Sequence, residues 1–134
     1  MKTLRTLIPA IVSCFYLVAA WARVGSLVKQ VPPRTATMNN PFEGQEPARQ
    51  AGAKLFAREC APCHGSNGRG GLGKAPPLRQ PEVYEAAPGA LFWILRNGSL
   101  QSGMPSFAHL PELQRWQIVT YLQTSSGPAY SPAR

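Results

Sequence analysis

The chain has 134 residues, enough for one small domain and too few for a large self-sufficient core. Fourteen Lys and Arg stand against six Glu and no Asp, for a net charge of +8. The basic residues are scattered, with no dense run, so the charge reads as a solvated surface and not as a nucleic-acid face. Of three cysteines, one lies in the apolar N-terminal stretch, which leaves a single pair and excludes a disulfide framework.

Residues 1–22 read as an export signal. Lys2 and Arg5 form a positive start, Leu7–Ala19 is apolar, and Ala20-Trp21-Ala22 fits a cleavage site, with cleavage after Ala20 nearly as good. The alternative is an uncleaved anchor, but the run from Leu7 to Ala22 is shorter than the ~20 residues of a spanning helix and contains Pro9. Ile11-Val12-Ser13-Cys14 resembles a lipidation box. Lipidation at Cys14 would leave Phe15–Ala22 as an apolar tail, so Cys14 is read as part of the leader.

Residues 23–45 read as a flexible linker, because Pro32, Pro33 and Pro41 break helices and Asn39-Asn40-Pro41 is turn chemistry. A domain over 46–124 follows. Its first helix is expected over Glu46–Cys60, opened by Pro47, with Ala48, Ala51, Leu55 and Phe56 as the apolar stripe. Gly52 interrupts that stripe, which is either tolerated or marks a close helix crossing.

Cys60-Ala61-Pro62-Cys63-His64 is the chemical centre of the sequence. Two thiols three residues apart lie on one side of a turn, where each can add to one vinyl group of the same porphyrin. His64 then brings an imidazole nitrogen to the iron. A thioredoxin-like pair would need a βαβ pattern, and a zinc site a second pair of ligands; neither is present in the sequence. The glycine-rich stretch 65–75 imitates a phosphate-binding loop at Gly68–Lys74. Ala75 stands where Ser or Thr is required, and Pro76-Pro77 follows where a helix should begin. The better reading is a chain turning tightly around a cofactor edge. A ligating His needs an acceptor for its other ring N–H, and the Pro76 carbonyl is a candidate.

A short helix over Glu82–Ala86 and a stronger one over Pro88–Arg96 come next, the latter with Leu91, Ile94 and Leu95 inward and Gly98 past its end. Leu100–His109 is a loop carrying Met104. A soft thioether suits ferrous iron, and Met104 lies in the domain whereas Met38 lies in the linker. His109 is the competing distal ligand. The last helix is expected over Pro111–Thr124, and 125–134 as a disordered tail.

Together these stretches resemble class I, single-haem c-type cytochromes of bacterial type over residues 45–124. The resemblance rests on Cys60–His64, Pro76-x-Leu78, Leu91–Gly98, Gly103-Met104-Pro105-Ser106-Phe107 and Trp116…Tyr121-Leu122. It implies an all-α fold, helices wrapped around one covalent haem c held by Cys60 and Cys63, with His64 and Met104 as axial ligands and Pro76 accepting from His64. It also implies that Gly52 and Phe56 cross the last helix at Ile118 and Tyr121. The implied role is electron transfer between redox proteins (a dehydrogenase, an oxidase or a reductase) outside the cytoplasm, with no catalytic residue and no nucleic-acid partner. Arg69 and Lys74 would lie near the haem edge and suit an acidic partner. A membrane tether through the N-terminus stays open at this point.

Overall fold

Pro47 in the first turn and Gln45 before it start a helix at Glu46, whose carboxylate accepts from Arg49 Nε at 2.6 Å and from Gln50 Nε2 at 3.0 Å. In the computed structural model, which describes residues 27–70 and 75–125, the elements are α1 (Pro33–Ala36), α2 (Glu46–Glu59), α3 (Ala61–His64), α4 (Pro81–Tyr84), α5 (Pro88–Asn97) and α6 (Glu112–Ser125). A 3₁₀ turn, Leu100–Ser102, and one isolated antiparallel bridge between Ser99 and Met104 lie between α5 and α6. The fold is all-α, with no strand among the described residues. No helix among them is long and apolar enough to cross a membrane.

The core is the crossing of α2 and α6. Gly52 is the contact point, because a Cβ there would fall 2.0 Å from the Gln117 carbonyl oxygen. One turn on, the Phe56 and Tyr121 rings meet at 5.1 Å, tilted by 50°. The helix α6 is central: Arg115, Trp116, Ile118, Val119, Thr120, Leu122 and Ser125 are all buried, so it has no single apolar stripe. Phe92 of α5 stacks on Trp116 with centroids 4.2 Å apart, and Leu91 and Leu95 join the same cluster.

Of the segment expected as a flexible linker, 23–45, the structure describes residues 27–45, and these carry side chains buried against the domain. Val31 and Asn40 are buried, and Asn40 Nδ2 donates to Thr120 Oγ1 on α6 at 2.9 Å. The helix α1 lies against α5 at Gly89, where a Cβ would meet the Thr35 carbonyl at 1.8 Å. The prolines exclude long regular elements, yet they leave the side chains free to dock on a prepared surface. The leader expectation, residues 1–22, falls outside the described residues, as does the tail expectation, 125–134, apart from Ser125, which is the last residue of α6.

Candidate functional site

The cysteine–histidine turn grows directly out of α2. Cys60 N donates to Phe56 O at 2.9 Å as the last bond of that helix. The Cys60 carbonyl then accepts from Cys63 N at 3.1 Å and His64 N at 2.9 Å, winding residues 60–64 into one further turn. Pro62 fits because the first turn of α3 needs no N–H there.

The two thiols are free and differ in setting: Cys60 is buried and Cys63 exposed. Burial, with Glu59 and Cys63 nearby as lesser causes, pushes the Cys60 thiol up to about 12. Burial keeps the free sulfur in its neutral form, and its apolar surroundings suit a neutral carbon–sulfur bond.

His64 is buried, and its Nδ1 lies 2.8 Å from the Pro76 carbonyl oxygen. A carbonyl only accepts, so Nδ1 carries a proton and donates; in the neutral ring that leaves the lone pair on Nε2. The loop delivers Pro76 through backbone bonds. The His64 carbonyl accepts from Gly70 N at 3.0 Å, and the Gly68 carbonyl accepts from Leu78 N at 2.7 Å and Arg79 N at 3.2 Å. Gly65 has φ +81°, and a Cβ there would come within 2.4 Å of the Gly70 carbonyl oxygen. Residues 71–74, including Lys74, lie outside the described part, whereas Arg69 is exposed.

Met104 is carried by a separate loop. It pairs with Ser99 through Ser99 N to Met104 O at 2.9 Å and Met104 N to Ser99 O at 3.0 Å, and its half-buried side chain packs on the core. Phe107 N donates to Leu95 O at 2.9 Å and Ser106 Oγ to Arg96 O at 2.6 Å, fastening the loop to the end of α5. His109 is exposed, its ring 6.0 Å from Phe107, and Met38 lies on the segment before α2, beside Gly89. The structure thus brings Cys60, Cys63 and His64 onto one turn and His64 against Pro76, with Met104 on the α5–α6 loop.

The donor set fits a covalent haem: an apolar sulfur, a second accessible sulfur, and one imidazole nitrogen left free by a fixed tautomer. Nearby in sequence, Gln80 Nε2 is buried with no hydrogen-bond partner among the described residues. Among the described residues no cluster of three or more His, Cys, Asp or Glu forms an ordinary metal site.

Sequence reasoning missed Arg115. It is buried, its Nη1 donates to the Leu110 carbonyl and, at 3.3 Å, to the Ala108 carbonyl, and its guanidinium lies 5.1 Å from the Phe92 ring centroid. The sequence carried little signal for it: α6 also holds Gln114, Gln117 and Gln123, and a basic residue among them reads as one more solvent-facing side chain.

Residues 47–122 match the family described as cytochrome c oxidase, cbb3-type, subunit III. No curated protein and no solved structure matches the chain.

Proposed function

The chain belongs to the cytochrome c oxidase, cbb3-type, subunit III family of c-type cytochromes, and on that premise we propose that it is a single-haem carrier passing electrons between protein partners outside the cytoplasm. Family membership carries covalent haem and electron transfer. In this reading Cys60 and Cys63 would hold one haem c through thioether bonds, His64 Nε2 and the Met104 sulfur would ligate its iron, and the Pro76 carbonyl would fix the His64 ring. The haem supplies one electron at a time as its iron changes between ferrous and ferric.

The observation that carries this reading is the 2.8 Å contact between His64 Nδ1 and Pro76 O, on the same turn as two free thiols. A fixed Nδ1–H strengthens Nε2 as a donor and stops the ring from turning. With His64 and Met104 both bound to it, the iron would have no open position, which would favour outer-sphere transfer over binding of oxygen or peroxide. The soft Met104 thioether favours the ferrous form and sets a higher potential than a bis-His centre.

The proposed setting is an exported respiratory or dehydrogenase chain, with the residue 1–22 segment as leader or tether and a dehydrogenase, oxidase or reductase at either end of the transfer. Such contacts are small and transient, and the exposed Arg69 beside the cysteine–histidine turn suits an acidic partner.

The test is protein isolated from cells that export and mature c-type cytochromes. Intact mass should show one haem added and no free thiol in the mature domain. The Met104→Ala variant should lose the weak sulfur-to-iron charge-transfer band and show a lower midpoint potential. Colourless protein with two free thiols would overturn the reading. An unchanged spectrum in Met104→Ala would remove Met104 from the ligand set and leave the haem attachment standing.

A further inference from the structure

We infer that Arg115 is a positioning residue that fixes the α6 end of the Met104-bearing loop and thereby holds the thioether at the iron; the inference rests on Met104 being the distal ligand. Residues 98–111 form the whole connection between α5 and α6. Its α5 end is secured by the Leu95 and Arg96 carbonyls and by the Ser99–Met104 bridge. At its other end the Ala108 and Leu110 carbonyls precede α6, outside any helical ladder, and both accept from Arg115 Nη1.

The guanidinium is held in place from two elements. It lies over the Phe92 ring of α5 at 5.1 Å, and that ring stacks on Trp116 of α6 with an interplanar angle of 14°. Arg115 is only 7% exposed and forms no ion pair among the described residues, and its Nε has no hydrogen-bond partner. A buried cation without a carboxylate is costly, so its hydrogen bonds to loop carbonyls are what the position offers in return. A planar fork against a ring face fixes direction as well as distance, which a lysine ammonium cannot do.

A thioether is a neutral, soft donor, and its occupancy at iron depends on how little freedom its loop has when it lets go. Freeing the Ala108 and Leu110 carbonyls widens the range of positions open to Met104. Loss of Arg115 therefore weakens the distal bond before it unfolds the helices.

The test uses haem-loaded, full-length protein from exporting cells in five forms: wild type, Met104→Ala, Arg115→Met, Arg115→Lys and Asn40→Ala. Each is heated while the sulfur-to-iron band and the helical circular dichroism are followed together, and each midpoint potential is measured. Arg115→Met should lose the band at a lower temperature than its helices melt and have a lower midpoint than wild type, with Arg115→Lys between the two. Asn40→Ala, which cuts a buried contact elsewhere on α6, should melt earlier with band and helix lost together. If Arg115→Met does not accumulate with haem, the Arg115→Lys comparison decides. Concerted loss of both signals with a wild-type midpoint in the Arg115 variants would overturn the inference. A band that survives in Met104→Ala would instead overturn the ligand reading beneath it.

Discussion

Gly52 lies against the backbone of Gln117: a Cβ at residue 52 would come within 2.0 Å of the Gln117 carbonyl oxygen and 2.9 Å of Tyr121 Cβ. The obstructing atoms are helix backbone and a Cβ, which cannot swing aside as the end of a long side chain can. Gly52→Ala gains ~1 kcal/mol of helix propensity. It must also push α2 off α6 at the centre of the core, so a net loss of about 1–3 kcal/mol is expected, as for an overpacked interior. The denaturant midpoint of the haem-loaded protein measures it, and a variant as stable as the parent would show that the crossing has slack.

That crossing was legible in the sequence because a glycine inside an apolar stripe has few physical meanings. The cysteine–histidine turn was legible for a similar reason, since local spacing alone puts Cys60, Cys63 and His64 on one turn. The three long helices fall within a residue or two of their expected bounds, marked by Pro47, Pro88 and Pro111 at their starts. Residues 27–45 were not legible. Their prolines report local backbone limits, whereas the seating of Thr35 against Gly89 and of Asn40 on Thr120 depends on surfaces of α5 and α6 far away in sequence. Arg115 was hidden by the ordinary expectation that charge points outward; only the fold reveals that two loop carbonyls end at its guanidinium.

Asn40 ties the segment before α2 into the body. Its Nδ2 donates to Thr120 Oγ1 at 2.9 Å, that hydroxyl donates to Trp116 O at 3.0 Å, and Asn40 Oδ1 accepts from Phe42 N at 2.9 Å. Asn40→Ala strands the Phe42 N–H and removes one partner from a buried hydroxyl, at an expected cost of about 1–3 kcal/mol. Chemical denaturation of the variant checks this. A change under ~0.5 kcal/mol, the size of a surface substitution, would mean that the segment contributes little to the domain.

Glu46 gives a pH dependence with a definite sign. The hydrogen bond from Arg49, then that from Gln50, with the Arg49 charge as a smaller cause, lowers its carboxyl from 4.5 to about 2. The folded value lies below the unfolded one, so the contribution to stability is present above pH 4.5 and is lost as pH falls from 4.5 through about 2. The group is exposed, so the effect is small and salt screens it. Melting temperature should fall less steeply with acid in Glu46→Gln than in wild type at low salt. The two curves should converge at high salt, and parallel curves at low salt would show that the Arg49 contact does not persist in solution.

Two glycines flank the Met104 turn, and they should respond differently to the same substitution. Gly98 has φ +68° and ψ −166°, a region nearly closed to other residues, and its Cβ would fall 2.6 Å from both the carbonyl carbon and oxygen of Pro105 and 2.7 Å from the Met104 carbonyl oxygen. Gly103 has φ +79° and ψ 9°, a left-handed conformation, but a Cβ there meets nothing within 4 Å. Gly103→Ala therefore incurs only backbone strain, about 1–2 kcal/mol, and leaves the loop where it is. Gly98→Ala adds a clash with the peptide that carries the ligand candidate, so the loop must move as well as strain. In haem-loaded protein, Gly98→Ala should weaken the sulfur-to-iron band and lower the midpoint potential. Gly103→Ala should lower the melting temperature with the band intact. Equal spectra for the two variants would show that the close packing of residue 98 on residues 104–105 does not set the position of the Met104 sulfur.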